Sequence, residues 1–307
     1  MNKKITILKL QPHFEYRVWA GEKIKQIFKT NEDLIGEAWI ISAYKNKSSI
    51  ITNLEQEISL LDFYNNPNNA YFFNNYNLKH EYPLLSKIID AKQDLSVQIH
   101  PDDEYAKQFD SYGKTECWYI LDTKVNNSVV LGHNAKTKEE FQSMIEQKKW
   151  KELLKEKPIK VNDFIYIEST KIHAIKADTL IYELQQSSDI TYRVYDYDRL
   201  DHGQKRELHL DHVMNLVKTP DQVLDSKLIS DREDYLVSNQ LFNLKEIDNH
   251  GKNEFLFADA QWVQIVVIKG QGKINEFDVK PYDCFLVANN QKFVLDGEIK
   301  CLISYVK

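Results

Sequence analysis

Short apolar segments recur along this chain, and residues that favour turns separate them. Each segment has the length of a strand, about four to eight residues, and many alternate apolar with polar side chains. The clearest segments are residues 38–41, 84–89, 95–100, 117–121, 163–168, 180–185 and 191–197. Asn, Asp, Gly and Pro lie between them, as is typical of turns. Closely spaced strands of this kind predict a mostly β protein, built as a jelly roll or another β-sandwich.

Two helical segments interrupt the strand pattern. Thr137 and Glu140 have the spacing of a capping box, and apolar residues continue at helical spacing beyond them. A second helix is predicted from about residue 204 to 217, before Pro220. Because strand-type patterning returns near residue 235, we expect three parts. They are a domain over 1–200 with a helical insertion near 137–156, a helical connecting segment over 201–234, and a domain over 235–307.

Charge and hydropathy narrow the classes of function. The chain has 307 residues and a formal net charge of −6, with acidic and basic residues interspersed. We therefore do not expect a nucleic-acid partner. The apolar stretch from Ile5 to Leu8 is too short for a signal-peptide core, and no segment approaches the roughly 20 apolar residues that span a bilayer. We expect a cytoplasmic protein without a membrane partner.

Two strand segments carry side chains that can bind a metal ion. Side chains alternate between the two faces of a strand, so Ser96, Gln98 and His100 share one face of the segment 95–100. By the same alternation, Lys114 and Glu116 share a face farther along the chain. A Lys-x-Glu pair is unusual in the interior of a β-barrel. Each of the two segments therefore presents polar ligand groups to one space.

A third segment completes this set of ligands. His173 enters the apolar strand around residues 180–185. Together with Gln98, His100 and Glu116 it offers one amide oxygen, two imidazoles and one carboxylate. Such a set would bind a borderline divalent ion such as zinc and leave a position for water or substrate. A single histidine on a strand is more often structural, but the combination over three strands predicts one metal ion per chain.

The C-terminal part has the strand and turn pattern of the domain before it, without the ligands. Gly270 and Gly272 follow an apolar strand, and Tyr282 and Asp283 precede the apolar run 284–287. This stretch resembles half of a cupin barrel. Because it lacks the His and Glu combination that would hold a metal, we expect a degenerate second cupin with a structural role.

Longer stretches of the chain resemble one enzyme family. Residues 84–103, 113–122 and 172–199, with 17–19 and 35–39, are similar to the short bacterial form of the type I phosphomannose isomerases. The resemblance extends over the whole chain. It implies two cupin (jelly-roll) domains, of which the first is catalytic. It also implies interconversion of mannose 6-phosphate and fructose 6-phosphate by a metal-assisted proton transfer through a cis-enediol.

The resemblance also implies roles for individual residues. The zinc ligands would be Gln98, His100, Glu116 and His173. Arg193 would be the catalytic arginine, and Lys114 and Glu183 would line the substrate. Which of Lys114 and Glu183 is the proton-transfer base stays open, as does whether the metal acts as a Lewis acid or positions the sugar.

Arg193 and Glu183 are symmetric about Ser188 in the sequence. If residues 187–189 turn a hairpin, these two side chains face each other across it. They would then be either a functional pair or a structural salt bridge. Ser96 and Trp19 are further candidates for binding the substrate, the first through its hydroxyl and the second through its indole ring. A tryptophan in a β-sandwich is, however, more often part of the core.

Other functions are compatible with this fold class. One is a cupin that binds a sugar without catalysis, which would not need Arg193, Lys114 and Glu183. Another is a metal-dependent dioxygenase, for which Gln98 and the Lys114–Glu116 pair fit less well. An isomerase of an unphosphorylated sugar is a third. We expect a sugar phosphate substrate and either a monomer or a homodimer.

Overall fold

The structure, a computed structural model, describes residues 4–223 and 229–307. In chain order its strands and helices are β1 (Ile7–Gln11), β2 (His13–Tyr16), α1 (Lys23–Phe28), β3 (Ile35–Ile41), β4 (Ile50–Ile51), β5 (Ile58–Ser59), α2 (Leu60–Asn65), β6 (Leu84–Ala91), β7 (Val97–Ile99), α3 (Asp103–Ala106), β8 (Glu116–Thr123), β9 (Asn127–His133), α4 (Lys138–Glu146), α5 (Trp150–Leu153), β10 (Leu154–Ile159), β11 (Phe164–Ile167), β12 (His173–Ala174), β13 (Thr179–Gln186), β14 (Tyr192–Tyr195), β15 (Leu200–Asp201), β16 (Gln204–Lys205), α6 (Leu210–Leu216), β17 (Val237–Ser238), β18 (Asn243–Asn249), β19 (Lys252–Phe255), β20 (Val263–Ile274), β21 (Phe277–Val279), β22 (Cys284–Val287) and β23 (Phe293–Tyr305). Short 3-10 helices lie at Pro67–Asn69, Tyr76–Leu78 and Lys107–Phe109. The predicted mostly β fold with helical insertions is confirmed.

The first helical insertion begins at the predicted N-cap, with the reciprocal bond of the capping box displaced by one residue. Thr137 is the N-cap of α4, and its hydroxyl accepts a hydrogen bond of 3.1 Å from the Glu140 backbone N–H. The Glu140 carboxylate in turn accepts a bond of 2.6 Å from the N–H of Lys136. Two donors at the start of the helix are thereby satisfied. The insertion ends with the short α5, and β10 begins at Leu154 within the range predicted to be helical.

The second predicted helix, from 204 to 217, is shorter than expected. Helix α6 starts only at Leu210, and residues 204–205 instead pair with 200–201 in a two-stranded hairpin, β15 with β16. His202 and Gly203 form its turn with φ of 48° and 80°. Two consecutive residues at positive φ suit the twist of a tight hairpin, so this turn overrides the helical spacing. Part of the predicted connecting segment, residues 224–228, lies outside the described residues.

The described chain divides into two compact units that differ from the ranges expected from the sequence. One contains residues 4–13, 39–86 and 229–307, and the other contains 14–38 and 87–223. The first unit includes N-terminal residues because β1 pairs with β22, from Ile7 opposite Val287 to Leu10 opposite Cys284. Pairing between strands so far apart in the chain leaves no mark in local sequence patterns.

The first unit is built on a ten-stranded sheet with the path β17-β18-β23-β20-β22-β1-β4-β5. The long strands β20 and β23 run antiparallel over most of their lengths, with one register shift between Val267 and Lys269. Alternate residues of β20, including Ile265 and Val267, join a buried cluster with Phe285 and Ile303. This apolar core accounts for the strand pattern after residue 235.

The second unit carries the residues of the predicted site on two sheets. One has the strand order β11-β8-β13-β6-β3-β2 and the other β10-β9-β12-β7-β14. Val97 and Ile99 of β7 point into a buried cluster with Val194 and Val213. Gln98, the residue between them on β7, therefore points to the opposite face, as the alternation predicts.

Gly270 provides a test of how β20 packs against β23. Its φ is +91°, and a Cβ atom there would lie 1.9 Å from the carbonyl oxygen of Glu298. Gly251 has a similar φ of +74°, but its Cβ would meet open space. We expect Gly251→Ala to lose about 1–2 kcal/mol of unfolding free energy from backbone strain alone. Gly270→Ala should lose clearly more in urea denaturation, and equal losses would contradict the close approach.

Candidate metal centre and active site

The register of the five-stranded sheet brings distant residues together. Strand β7 lies between β12 and β14, and Gln98 on β7 is opposite both His173 and Arg193. His100 follows the end of β7, and Glu116 is the first residue of β8 in the neighbouring sheet. Residues 75 positions apart in the chain, such as Gln98 and His173, are therefore in contact.

Three of the predicted ligands form a compact, buried cluster. The Nε2 atoms of His100 and His173 are 3.2 Å apart. The Glu116 carboxylate lies 3.4 Å from Nε2 of His100 and 3.3 Å from Nε2 of His173. The side chain of Gln98 contacts the same point, with its amide nitrogen 3.3 Å from Nε2 of His173. The amide nitrogen and oxygen exchange places by a simple rotation, which would turn the oxygen toward the cluster.

The two imidazole rings are fixed in the form that binds a metal. Nδ1 of His100 is 2.9 Å from the carbonyl oxygen of Ile190, and Nδ1 of His173 is 2.8 Å from that of Lys171. Because a carbonyl oxygen only accepts, each Nδ1 carries the proton and each Nε2 has a free lone pair. Burial, with the charge of Lys114, lowers the pKa of His100 to about 3, and burial also lowers the pKa of His173. Both rings are therefore neutral at neutral pH.

Glu116 is the negative charge of the cluster. Its side chain is 0% exposed, and no described residue donates a hydrogen bond to either of its oxygens. Burial raises the pKa of its carboxyl group, but the Lys114 ammonium group, 3.5 Å away, and the interactions with His100 and His173 together lower the pKa by more. Glu116 is therefore ionised, with acceptor positions that the described residues do not use.

This arrangement fits a divalent cation. Two imidazole nitrogens and a carboxylate oxygen, one ligand atom from each of His100, His173 and Glu116, lie within 4.8 Å of one another. Such a convergence of acceptors is unfavourable unless a positive charge lies between them. Imidazole nitrogen and carboxylate oxygen are donors that suit such an ion, and Gln98 could supply a fourth group. Gln98, His100, Glu116 and His173 are thus the residues that could hold the ion.

A second buried charge network adjoins the cluster. The Trp118 ring lies against His173, with centroids 5.6 Å apart, and its Nε1–H donates to Glu183 over 3.1 Å. The other oxygen of Glu183 is 3.3 Å from the ammonium group of Lys87. Burial and the nearby Glu116 raise the pKa of Glu183, while Lys87 acts in the opposite direction. Glu183 is therefore a buried carboxylate with an elevated pKa beside the metal-ligand cluster.

Lys87 is a site residue that the sequence reasoning missed. It is 3% exposed, and its ammonium group lies between Glu183 and Glu37, at 3.3 and 3.8 Å. Arg17 holds Glu37 by two hydrogen bonds of 2.9 and 3.0 Å. Lys87 lies in the middle of the buried strand β6. A lysine inside a mostly apolar strand was the available signal, because lysine is almost never fully buried unless it is paired.

Arg193 and Glu183 do not face each other across a hairpin. Glu183 is opposite Trp118 in the pairing of β13 with β8, whereas Arg193 pairs with Gln98 of β7 in the other sheet. The residues between β13 and β14 cross from one sheet to the other, so the symmetry about Ser188 has no structural counterpart. No ion pair among the described residues joins Glu183 to Arg193. Burial and the charge of Arg206 lower the pKa of Arg193. The Nε atom of Arg193 has no hydrogen-bond partner among the described residues.

Comparisons with known proteins agree with this geometry. The family model "Phosphomannose isomerase type I, catalytic domain" matches residues 7–125. A probable mannose-6-phosphate isomerase of Bacillus subtilis, GmuF, is 36% identical over 313 residues, covering 96% of this chain and 98% of its own. The mannose-6-phosphate isomerase of Streptococcus mutans is 33% identical, covering 96% of this chain and 97% of its own. The chain belongs to the type I phosphomannose isomerase family.

The fold of the family is also the fold of this chain. The crystal structure of the mannose 6-phosphate isomerase from Bacillus subtilis superposes with a TM-score of 0.88 at 32% identity. The match covers 98% of this chain and 100% of that one. The predicted architecture of two cupin domains with helical insertions is thereby confirmed.

Two further residues were predicted to bind substrate in this family member. Ser96 is buried and directly precedes β7, close in sequence to Gln98. Trp19 is 3% exposed and belongs to a hydrophobic cluster with Ile89 and Trp118. The indole of Trp19 therefore packs in the core, which is the more common position of a tryptophan in a β-sandwich.

The metal site generates a test with a readout besides activity. We expect about one divalent ion per chain by elemental analysis. A chelator should lower the melting temperature, because removal of the ion leaves the buried negative charge of Glu116 without that compensating cation. An ion at 100 times its dissociation constant stabilises the fold by about 2.7 kcal/mol.

Glu116→Gln should abolish this metal-dependent stabilisation. Glu104→Gln is the matched control, because Glu104 is exposed and forms a surface ion pair with Lys107, away from the metal-ligand cluster. Metal binding by Glu116→Gln as tight as in the control would refute the assignment of the site.

Proposed function

We propose that this protein interconverts mannose 6-phosphate and fructose 6-phosphate. Its relatives at 36% and 33% identity carry the name mannose-6-phosphate isomerase, and they match it over nearly their full length. The observation that carries the proposal is Glu183, a buried carboxylate of raised pKa beside the metal-ligand cluster, with Trp118 in contact with both Glu183 and His173. An aldose–ketose isomerase needs a base of this kind beside groups that stabilise negative charge on oxygen.

In the proposed reaction, Glu183 moves the proton. Its ionised carboxylate takes the proton from C2 of the open-chain aldose, the C–H electron pair forms the C1–C2 double bond, and the C1 carbonyl oxygen takes up a proton to give the enediol. The same carboxyl group then delivers a proton to C1, while the C2 hydroxyl loses its proton and becomes the carbonyl of the ketose, so that one proton moves from C2 to C1 and one from O2 to O1. A carboxylate with a raised pKa is a stronger base than one in water, so the burial of Glu183 serves the reaction. Of the two candidate bases, we therefore assign proton transfer to Glu183.

Positively charged residues stabilise the enediol oxygens in this proposal. Lys114 is 4% exposed and lies beside Glu116, so its charge acts in a medium that screens it weakly. Arg193 presents a planar guanidinium group from β14, next to Gln98 on β7. Lys87 holds Glu183 in place and favours its ionised form against burial. Arg193 and Lys114, with Ser96, are also the proposed contacts of the sugar phosphate.

We propose zinc as the metal, one ion per chain. Two imidazoles, one carboxylate and one amide oxygen match its preference for nitrogen and oxygen ligands in a site with an open position. When bound, the ion would supply a fixed positive charge for the sugar oxygens. Gln98, His100, Glu116 and His173 would hold it.

The cellular location and the oligomeric state are part of the same proposal. A sugar phosphate is a metabolite of the cell interior, so we propose a cytoplasmic enzyme that acts as a monomer or homodimer. Among the described residues, the structure contains no helix long and apolar enough to cross a membrane.

A panel of three sugars tests the proposed function. The metal-loaded protein should form ketose from mannose 6-phosphate, and far more slowly from free mannose, because the mannose lacks the phosphate that the cationic side chains bind. Glucose 6-phosphate, with the opposite configuration at C2, should react far more slowly as well. Ketose formation is followed by a coupled assay. Equal rates on mannose and mannose 6-phosphate would favour an unphosphorylated substrate, and tight binding without turnover would favour a non-catalytic sugar-binding cupin.

A further inference from the structure

Arg193 lies on a strand with one free edge. In the order β10-β9-β12-β7-β14, β14 is the last strand of its sheet among the described residues, so only one side of it is paired with another strand. The ladder with β7 is also irregular there, with a register shift between Arg193 and Tyr195. Edge strands leave backbone N–H and C=O groups that need other partners. The backbone around Arg193 therefore has strand-to-strand hydrogen bonds on one side only, from its pairing with β7.

His209 supplies both of the missing partners. The N–H of Arg193 donates to Nδ1 of the His209 ring over 3.0 Å. The carbonyl oxygen of Arg193 accepts from the backbone N–H of His209 over 2.9 Å. His209 therefore takes the place of a neighbouring strand. Its side chain makes one of the two hydrogen bonds and its backbone makes the other.

The position of His209 is itself fixed by helix α6. His209 is the N-cap of α6, and its carbonyl oxygen accepts from the N–H of Val213 over 3.0 Å. Val213 and Leu216 of this helix are buried in the same hydrophobic cluster as Val194 of β14. Apolar packing thus holds α6 against the strand, while His209 forms the polar contact at Arg193.

The ring of His209 is suited to accept this bond. Nδ1 has a free lone pair only when the ring is neutral and the proton is on Nε2. Burial and the charge of Arg193 lower the pKa of His209, with His212 acting in the same direction and Glu207 opposing. The neutral form therefore prevails at neutral pH.

We infer that His209 is a positioning residue, which fixes the backbone of Arg193 and thereby the place of its guanidinium group in the active site. This inference rests on the proposed function, in which Arg193 stabilises the enediol oxygens. A residue acting through Arg193 should affect turnover more than stability, since a displacement of about 1 Å costs on the order of 100-fold in rate.

Substitutions at position 209 separate the hydrogen bond from packing. His209→Leu removes the acceptor, and we expect kcat on mannose 6-phosphate to fall about 10- to 100-fold. His209→Asn places its amide oxygen where Nδ1 was, so we expect it to retain kcat within about threefold. Arg193→Lys is the reference for loss of the guanidinium group. Bound metal and melting temperature are measured on the same preparations.

His212→Leu is the matched control on the same helix. His212 stacks on Tyr192 with ring centroids 4.2 Å apart, and its Nδ1 is 2.8 Å from the Tyr105 hydroxyl, but it makes no described contact with Arg193. We expect this variant to have a lower melting temperature than the wild type and to keep a kcat close to that of the wild type.

A kcat of His209→Leu within about twofold of the wild type would overturn the inference, and so would equal losses in the Leu and Asn variants. If His209→Leu does not fold, His209→Gln takes its place, since its longer side chain moves the acceptor away from Arg193. A wild-type protein that lacks isomerase activity would refute the proposed function, before any comparison of these variants.

Discussion

The burial of two carboxylates beside each other is the constraint on which the site depends. Glu116 and Glu183 are both almost completely buried, and the charge of Glu116 raises the pKa of Glu183. Buried charges of one sign persist only with compensating charge close by. Lys114 supplies it for Glu116 and Lys87 supplies it for Glu183, at 3.5 and 3.3 Å. In the proposed mechanism the two carboxylates thereby take different roles, one as a metal ligand and the other as a base.

This division of roles comes from the sheet framework. Strand β8 carries Glu116 and Trp118 on one face, and the pairing with β13 sets Glu183 opposite Trp118. The other sheet places Gln98 and His173 side by side. Backbone pairing thus fixes the ligands and the base before any ion or sugar binds. A site built on strands is positioned more accurately than one built on loops.

Local patterns in the sequence predicted one part of this site, and long-range pairing determined the rest. Strand alternation was enough to put Gln98 and His100 on one face, and the structure brings His100, Glu116 and His173 together in one cluster. Alternation could not reveal that β13 and β14 belong to different sheets, which separates Glu183 from Arg193. It also could not show that β1 joins β22. Such pairings depend on the packing of the whole chain, so the period of a short segment does not record them.

Proton transfer by Glu183 is the central claim, and deuterium labelling tests it most directly. Mannose 6-phosphate is incubated in D2O with the metal-loaded wild type and with metal-loaded Glu183→Gln, and deuterium at C1 of fructose 6-phosphate is followed by NMR. The account predicts label from solvent at C1 with the wild type, because the proton on the Glu183 carboxyl group exchanges with D2O before it is delivered to C1. For the variant it predicts unchanged metal content and loss of both turnover and label, by about 10²–10⁴-fold. Labelling by Glu183→Gln within about tenfold of the wild-type rate would contradict the account.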